Sequence, residues 1–110
     1  MKPTYVLGID SSTQSCKALL VEADSGKVVA EQRSAHPQGT QIDPRHWIAA
    51  LEEATAGLVE QASALSIAGQ QHGMVALDEQ GVPVRDAMLW NDTSSAPQAR
   101  ELAEELGGAQ

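Results

Sequence analysis

Three short polar segments of this sequence carry the residue types that chemistry needs. The first is Asp10-Ser11-Ser12-Thr13-Gln14-Ser15-Cys16-Lys17. Small residues let a backbone come close to a ligand, and successive N–H groups in a tight turn can converge on one anion. The hydroxyls of Ser12 and Thr13 add donors, Lys17 adds a cation, and the Asp10 carboxylate can hold a hydrated Mg²⁺ that bridges phosphate oxygens. The same residues also suit an ordinary hairpin turn, because Asp, Ser and Thr favour turns for conformational reasons. No Walker loop is present.

The second segment is Gly69-Gln70-Gln71-His72-Gly73, where two glycines bracket three side chains able to donate and accept hydrogen bonds. That inventory suits a polyhydroxylated ligand, and equally a polar connection in which His72 satisfies a neighbouring carbonyl. The third is Leu89-Trp90-Asn91-Asp92, where an indole face beside polar groups can wall a sugar site or simply pack a core. His36 and His46 have no second ligand at metal spacing and read as solvated, Glu52-Glu53 and Glu101-Glu104-Glu105 as exposed helix faces, and Cys16 as a small apolar core residue.

The elements that must position these segments follow from periodicity. Thr4 to Asp10, Cys16 to Glu22 and Lys27 to Ser34 read as three strands joined by short turns, hence an antiparallel meander. Residues 35 to 42 read as loop. Asp43 as N-cap and Pro44 at the first helical position start a helix whose apolar face is Trp47, Ile48, Leu51, Ala54, Leu58, Val59 and Ala62. Leu65 to Gly69 is a strand that, reached through a long helix, returns parallel to the sheet. Gly73 to Asp78 and Val82 to Leu89 read as a hairpin around Asp78-Glu79-Gln80-Gly81. A last helix begins at a Ser95/Gln98 capping box with Pro97 in its first turn, carries Leu102 and Leu106 on one face, and stops at Gly107-Gly108. The order is β-β-β-α-β, then a hairpin and a helix, an α/β arrangement. Ligands in open α/β sheets bind outside the C-terminal ends of parallel strands, where the second polar segment lies.

Composition narrows the function. With 110 residues, 7 Lys and Arg against 15 Asp and Glu give a net charge of −8. That balance argues against a nucleic-acid track or an anionic membrane surface, while leaving room for a small phosphorylated ligand bound by backbone N–H groups. A single cysteine fits a reducing compartment, and no apolar run reaches the ~18 residues of a bilayer span, so a cytoplasmic protein is the expectation. Phe is absent, so Leu, Ile, Val and Ala must fill the core.

With the three segments in order, the sequence resembles the FGGY family of carbohydrate kinases, most closely its xylulokinase branch. The residues that carry this are GIDSSTQSCKALLV at 8–21, IAGQQHGMVALDEQGVP at 67–83 and AMLWNDTSS at 87–95. The resemblance implies an actin-like ATPase, or ribonuclease H-like, fold, with residues 1–110 as the N-terminal portion of the first of two domains. It also implies transfer of the ATP γ-phosphate to a sugar hydroxyl with ATP and Mg²⁺, D-xylulose being the expected sugar. By resemblance Asp10 belongs to the Mg²⁺–phosphate end, and Ser12, Thr13, Gln14 and Lys17 lie along the nucleotide phosphates. Gln71, His72 and Trp90 meet the sugar, and the general base lies beyond residue 110. Ser12 stands where the commoner pattern has Gly, and Gln71 where many xylulokinases have Met. A homodimer is compatible with this reading; nucleic acid and membrane are not expected partners. A chain holding one wall of the cleft is expected to be inactive alone. The alternatives are another FGGY sugar or polyol kinase (ribulose, glycerol or gluconate type), a non-catalytic module that binds a sugar or a protein partner, or a ribonuclease H-like metal-dependent nuclease. The nuclease would need Glu52 or Glu53 to join Asp10 as metal ligands.

Overall fold

The computed structural model describes residues 2–108. Alternating apolar side chains make β1 (Tyr5–Ser11), β2 (Ser15–Glu22) and β3 (Val28–Ala35), which pair antiparallel through tight turns as expected. Helix α1 (Arg45–Thr55) carries the chain across to β5 (Ala64–Gly69), which pairs parallel to β1 and gives the sheet order β3-β2-β1-β5. Two dipeptides, β4 (Gln41–Ile42) and β6 (Ala87–Met88), form a separate antiparallel pair, and α2 (Ala96–Glu105) closes the element order.

One face of the sheet holds the core. Leu7 and Ile9 of β1 and Cys16, Ala18 and Leu20 of β2 meet Ala50, Ala54 and Leu58. Burial pushes the Cys16 thiol up from its ordinary pKa, and the negative charge of Asp10 pushes it the same way, so it stays a neutral packing group.

Helix α1 differs from its sequence reading in two ways. It starts as expected: Pro44 is already helical (φ −57°, ψ −20°) and the Asp43 carboxylate accepts the Arg45 N–H at 3.0 Å. It stops at Thr55, because Gly57 turns into the left-handed region (φ +78°) and Gln32 of β3 donates to the carbonyls of Ala54 and Ala56, both at 2.9 Å. Val59–Gln61 is a separate 3₁₀ turn. The buried stripe is also rotated: Ala50 and Ala54 face the sheet, while Ile48 is 57% exposed. Close approach of helix to sheet selects the small side chains.

Three further expectations give way. Residues 41 and 42 of the expected loop pair as β4. The hairpin after Gly73 is reduced to one Leu77–Pro83 bridge, although its turn forms, with Asp78 Oδ1 accepting the N–H groups of Gln80 and Val82 at 2.9 Å. Met74, Leu77 and Val84 on that ribbon are exposed, so no burial consolidates longer strands. The capping box at Ser95 does not form, because Ser95 sits at φ −91°, ψ 5°, outside the extended geometry a cap side chain requires. Gly107 and Gly108, at φ +84° and +94°, end α2 as expected.

The fold leaves much surface open. Leu65 and Ile67 share the helix-side face with Leu7 and Ile9, yet both are half exposed because α1 lies over β2 and β3. The radius of gyration is 18.6 Å, against about 13 Å for a compact chain of this length. The accessible surface is 7923 Å², against about 5,800 Å².

Leu20→Ala, made in the core on β2, is expected to lower stability by about 3 kcal/mol in urea unfolding, whereas Ile48→Ala on α1 should stay within about 0.5 kcal/mol. Equal losses would contradict the helix orientation.

Candidate functional site

Parallel pairing aligns Ser11 with Gly69, so β1 and β5 end at the same level and the chain leaves both strands toward the same side. Residues 12–14 make the turn into β2, and residues 70–73 leave β5 beside it. Between them lies a hollow of about 290 Å³ walled by Ser12, Thr13, Gln70, Gln71, His72 and Trp90. A second cavity of about 170 Å³ shares Gln70, Gln71 and Trp90 with it and is lined further by Ser11, Trp47, Val75 and Leu89.

Three observations describe how this wall is held. The Trp90 indole N–H donates to Thr13 Oγ1 at 3.0 Å, joining the third polar segment to the first, while 62% of the residue stays exposed. His72 is the one non-glycine residue with positive φ (+63°) among those described, a conformation that persists where surrounding structure imposes it and that gathers at binding sites. The carbonyl of Ser12 faces His36 Nδ1 at 2.8 Å and accepts from Gln70 Nε2 at 3.3 Å.

The remaining candidates lie around this hollow and outside its walls. Asp10 is exposed and receives the Ser12 hydroxyl, which links it to the rim. It lies beside Lys17 of β2 and Ala68 of β5 in register, on the sheet face away from α1. Lys17 Nζ pairs with Glu31 at 3.3 Å and lines neither cavity. Gln14 lines a different groove, with Arg33, His36 and Asn91. Ser12, Thr13, Gln71, His72 and Trp90 are therefore brought together, Asp10 stands at the margin, and Gln14 and Lys17 face elsewhere.

Sequence reasoning missed three contributors. His36 was expected in solvent; it is 6% exposed, because Ala30, Gln32, Ser34 and His36 continue the inward alternation of β3, a signal that the neighbouring Pro37 and Gly39 obscured. Gln70 is read in the sequence only as one of three hydrogen-bonding side chains of the second segment, with no contact to the β1–β2 turn. Asp92, read as polar punctuation, is a node: Oδ2 accepts from Thr40 Oγ1 at 2.7 Å and from Gln41 Nε2 at 3.2 Å, while Oδ1 accepts the N–H of Ser94 at 2.9 Å and its hydroxyl. These hydrogen bonds, led by the Ser94 and Thr40 hydroxyls, hold its carboxyl far below the usual range. The Arg45 guanidinium and N–H similarly lower Asp43 to about 2.

No group of three or more His, Cys, Asp or Glu side chains that could hold a metal ion occurs among the described residues, and no helix among them is long and apolar enough to cross a membrane. Glu52 and Glu53 are exposed on α1, and Glu53 accepts the Ser34 hydroxyl at 3.2 Å.

Residues 5–110 match the FGGY family of carbohydrate kinases, N-terminal domain. The chain is 53% identical over 111 residues to a xylulose kinase of Streptomyces coelicolor, covering 94% of this chain and 23% of that protein. It is also 53% identical over 95 residues to a xylulose kinase sequence of an Arthrobacter species, covering 84% of this chain and 99% of that sequence. Among solved structures, the xylulose kinase from Bifidobacterium adolescentis superposes with a TM-score of 0.86 at 52% identity, over 96% of this chain and 21% of that one. The chain thus spans under a quarter of the length of the Streptomyces and Bifidobacterium proteins.

A carboxylate with a lowered folded-state pKa adds stability above its unfolded value, about 4, and that stability is lost as pH falls toward the folded value. Asp92→Asn is therefore expected to lower Tm at pH 7 and to flatten the decline of Tm between pH 5 and 2. An acid limb as steep as that of the parent would remove the node from the account.

Proposed function

The chain belongs to the FGGY family of carbohydrate kinases, and from that premise we propose that it forms the sugar-holding and phosphate-facing wall of a xylulose kinase, as part of the first of two domains. The observation that carries this reading is the hollow shared by the β1–β2 turn and the Gln71–His72 segment at the C-terminal ends of two parallel strands. The fold is that of the actin-like ATPases, to which these sugar kinases belong.

In this reading Gln71 and His72 hydrogen-bond the hydroxyls of D-xylulose, and the Trp90 ring lies against its C–H face. The β1–β2 turn meets the phosphates of ATP. Asp10 suits Mg²⁺, an ion that takes one or two carboxylates together with substrate phosphates and waters, and its position beside the turn fits that chemistry. When bound, Mg²⁺ supplies charge neutralisation on the transferring phosphoryl group. Cytoplasmic placement and homodimer formation belong to the same proposal and rest on the family likeness alone. The lone carboxylate disfavours a nuclease: in register, Asp10 has Lys17 and Ala68 beside it, and Glu52 and Glu53 are exposed on α1.

Phosphoryl transfer needs both substrates positioned, so the 110-residue chain by itself is expected to show no xylulose-dependent ATP consumption. Exchanging it for the matching segment of the Bifidobacterium adolescentis xylulose kinase should yield an active chimera that prefers xylulose to ribulose, glycerol or gluconate. In that chimera Asp10→Asn is expected to lower kcat about 100-fold with little change in sugar KM. His72→Ala should raise sugar KM about 10-fold. An inactive but folded chimera, or the reverse split between the two variants, would refute the assignment.

A further inference from the structure

The Ser12 carbonyl is held from two directions. His36 Nδ1 lies 2.8 Å from it at the end of β3, and Gln70 Nε2 donates to it at 3.3 Å from just beyond β5. A carbonyl oxygen only accepts, so the His36 ring carries a hydrogen on Nδ1. The other polar atom of each side chain, His36 Nε2 and Gln70 Oε1, is buried and has no partner. Buried polar atoms without partners cost free energy. Both side chains are therefore disposed to serve the carbonyl, at the expense of their own remaining hydrogen bonds. The His36 N–H also donates to the Gln14 carbonyl at 2.8 Å, so this one residue grips both ends of a three-residue turn.

The peptide bond decides what this does. In a trans peptide C=O and N–H point in opposite directions, and no cis peptide occurs among the described residues. With the Ser12 carbonyl held against His36 and Gln70, the N–H of Thr13 points away from them. Among the described residues no acceptor takes it, whereas the Ser12 N–H is spent on the Ser15 carbonyl at 3.0 Å.

We infer that His36 and Gln70 are positioning residues that set the Ser12–Thr13 peptide so that the Thr13 N–H is presented, preorganised, to an anionic oxygen. The anion's identity as a nucleotide phosphate rests on the function proposed above; the orientation of the peptide does not. Because Gln70 adjoins Gln71 and lines both cavities, the segment proposed to hold the sugar is tied through one carbonyl to the turn proposed to hold the phosphate.

The test is NMR spectroscopy on the ¹⁵N-labelled chain, with inorganic triphosphate and Mg²⁺ as the probe. Long-range ¹H–¹⁵N correlation should find the His36 ring protonated on Nδ1, the minor form of free neutral histidine. Gln70→Glu, which removes the donor, should displace the Thr13 amide resonance and weaken its response to triphosphate at least tenfold. His36→Ala should do the same, and His36→Asn, which restores a donor near the Nδ1 position, should recover much of the response. A neutral ring protonated on Nε2, or a Thr13 resonance unmoved in both Gln70→Glu and His36→Ala, would overturn the inference. Should the variants move the Thr13 amide while triphosphate leaves it untouched in the parent chain, the orientation stands and the phosphate reading of the turn falls.

Discussion

The parallel pairing of β1 with β5 is the constraint on which the rest depends. Consecutive antiparallel strands send their polar ends to opposite edges of a sheet. A parallel pair sends them to the same edge, and here the register Ser11 to Gly69 does so with no residue to spare. Two segments some 58 residues apart, Ser12–Gln14 and Gln70–Gly73, become the facing lips of one hollow. Pairing of this kind needs a crossover, which is why α1 lies between the two strands and why it must bury its small-residue stripe against the sheet.

Polarity within the hollow is arranged by the backbone as much as by side chains. A chain with net charge −8 cannot attract phosphate through its overall field, so whatever anion binding it achieves must be local. In the turn at Ser12 to Gln14 the carbonyls of Ser12 and Gln14 are occupied from behind, and the Ser12–Thr13 peptide turns its N–H the other way. On the other lip the left-handed backbone at His72 and the Trp90–Thr13 hydrogen bond hold side chains at a solvent-facing edge, where packing alone would not order them. The openness of the wider molecule agrees with this one-sidedness. Leu65, Ile67, Leu102 and Leu106 are exposed.

Much of the fold was legible because its signals are local. Alternation gave the three strands of the meander to within a residue, Asp43-Pro44 gave the start of α1, and Gly107-Gly108 marked the stop of α2. Two of the differences share a cause, which is that local patterns do not say what an element will lie against. Ile48 matched the helical period as well as Ala50, but only the sheet's proximity favours the methyl group over the larger side chain. The strands expected after Gly73 had the right residues and found no surface to be buried on.

The sequence by itself determined the inventory of the site: a carboxylate and hydroxyls after one apolar run, glutamines and a histidine after another, and an indole after a third. Residue type and order along the chain are enough for that, since hydrogen-bonding capacity belongs to each side chain alone. Tertiary structure decided which members of the inventory meet. It seated Ser12, Thr13, Gln71, His72 and Trp90 around one cavity, turned Lys17 toward Glu31, and drew His36 inward to the Ser12 carbonyl. Those choices follow from strand register and from which face of each strand is covered, and both arise only when distant parts of the chain are brought into contact.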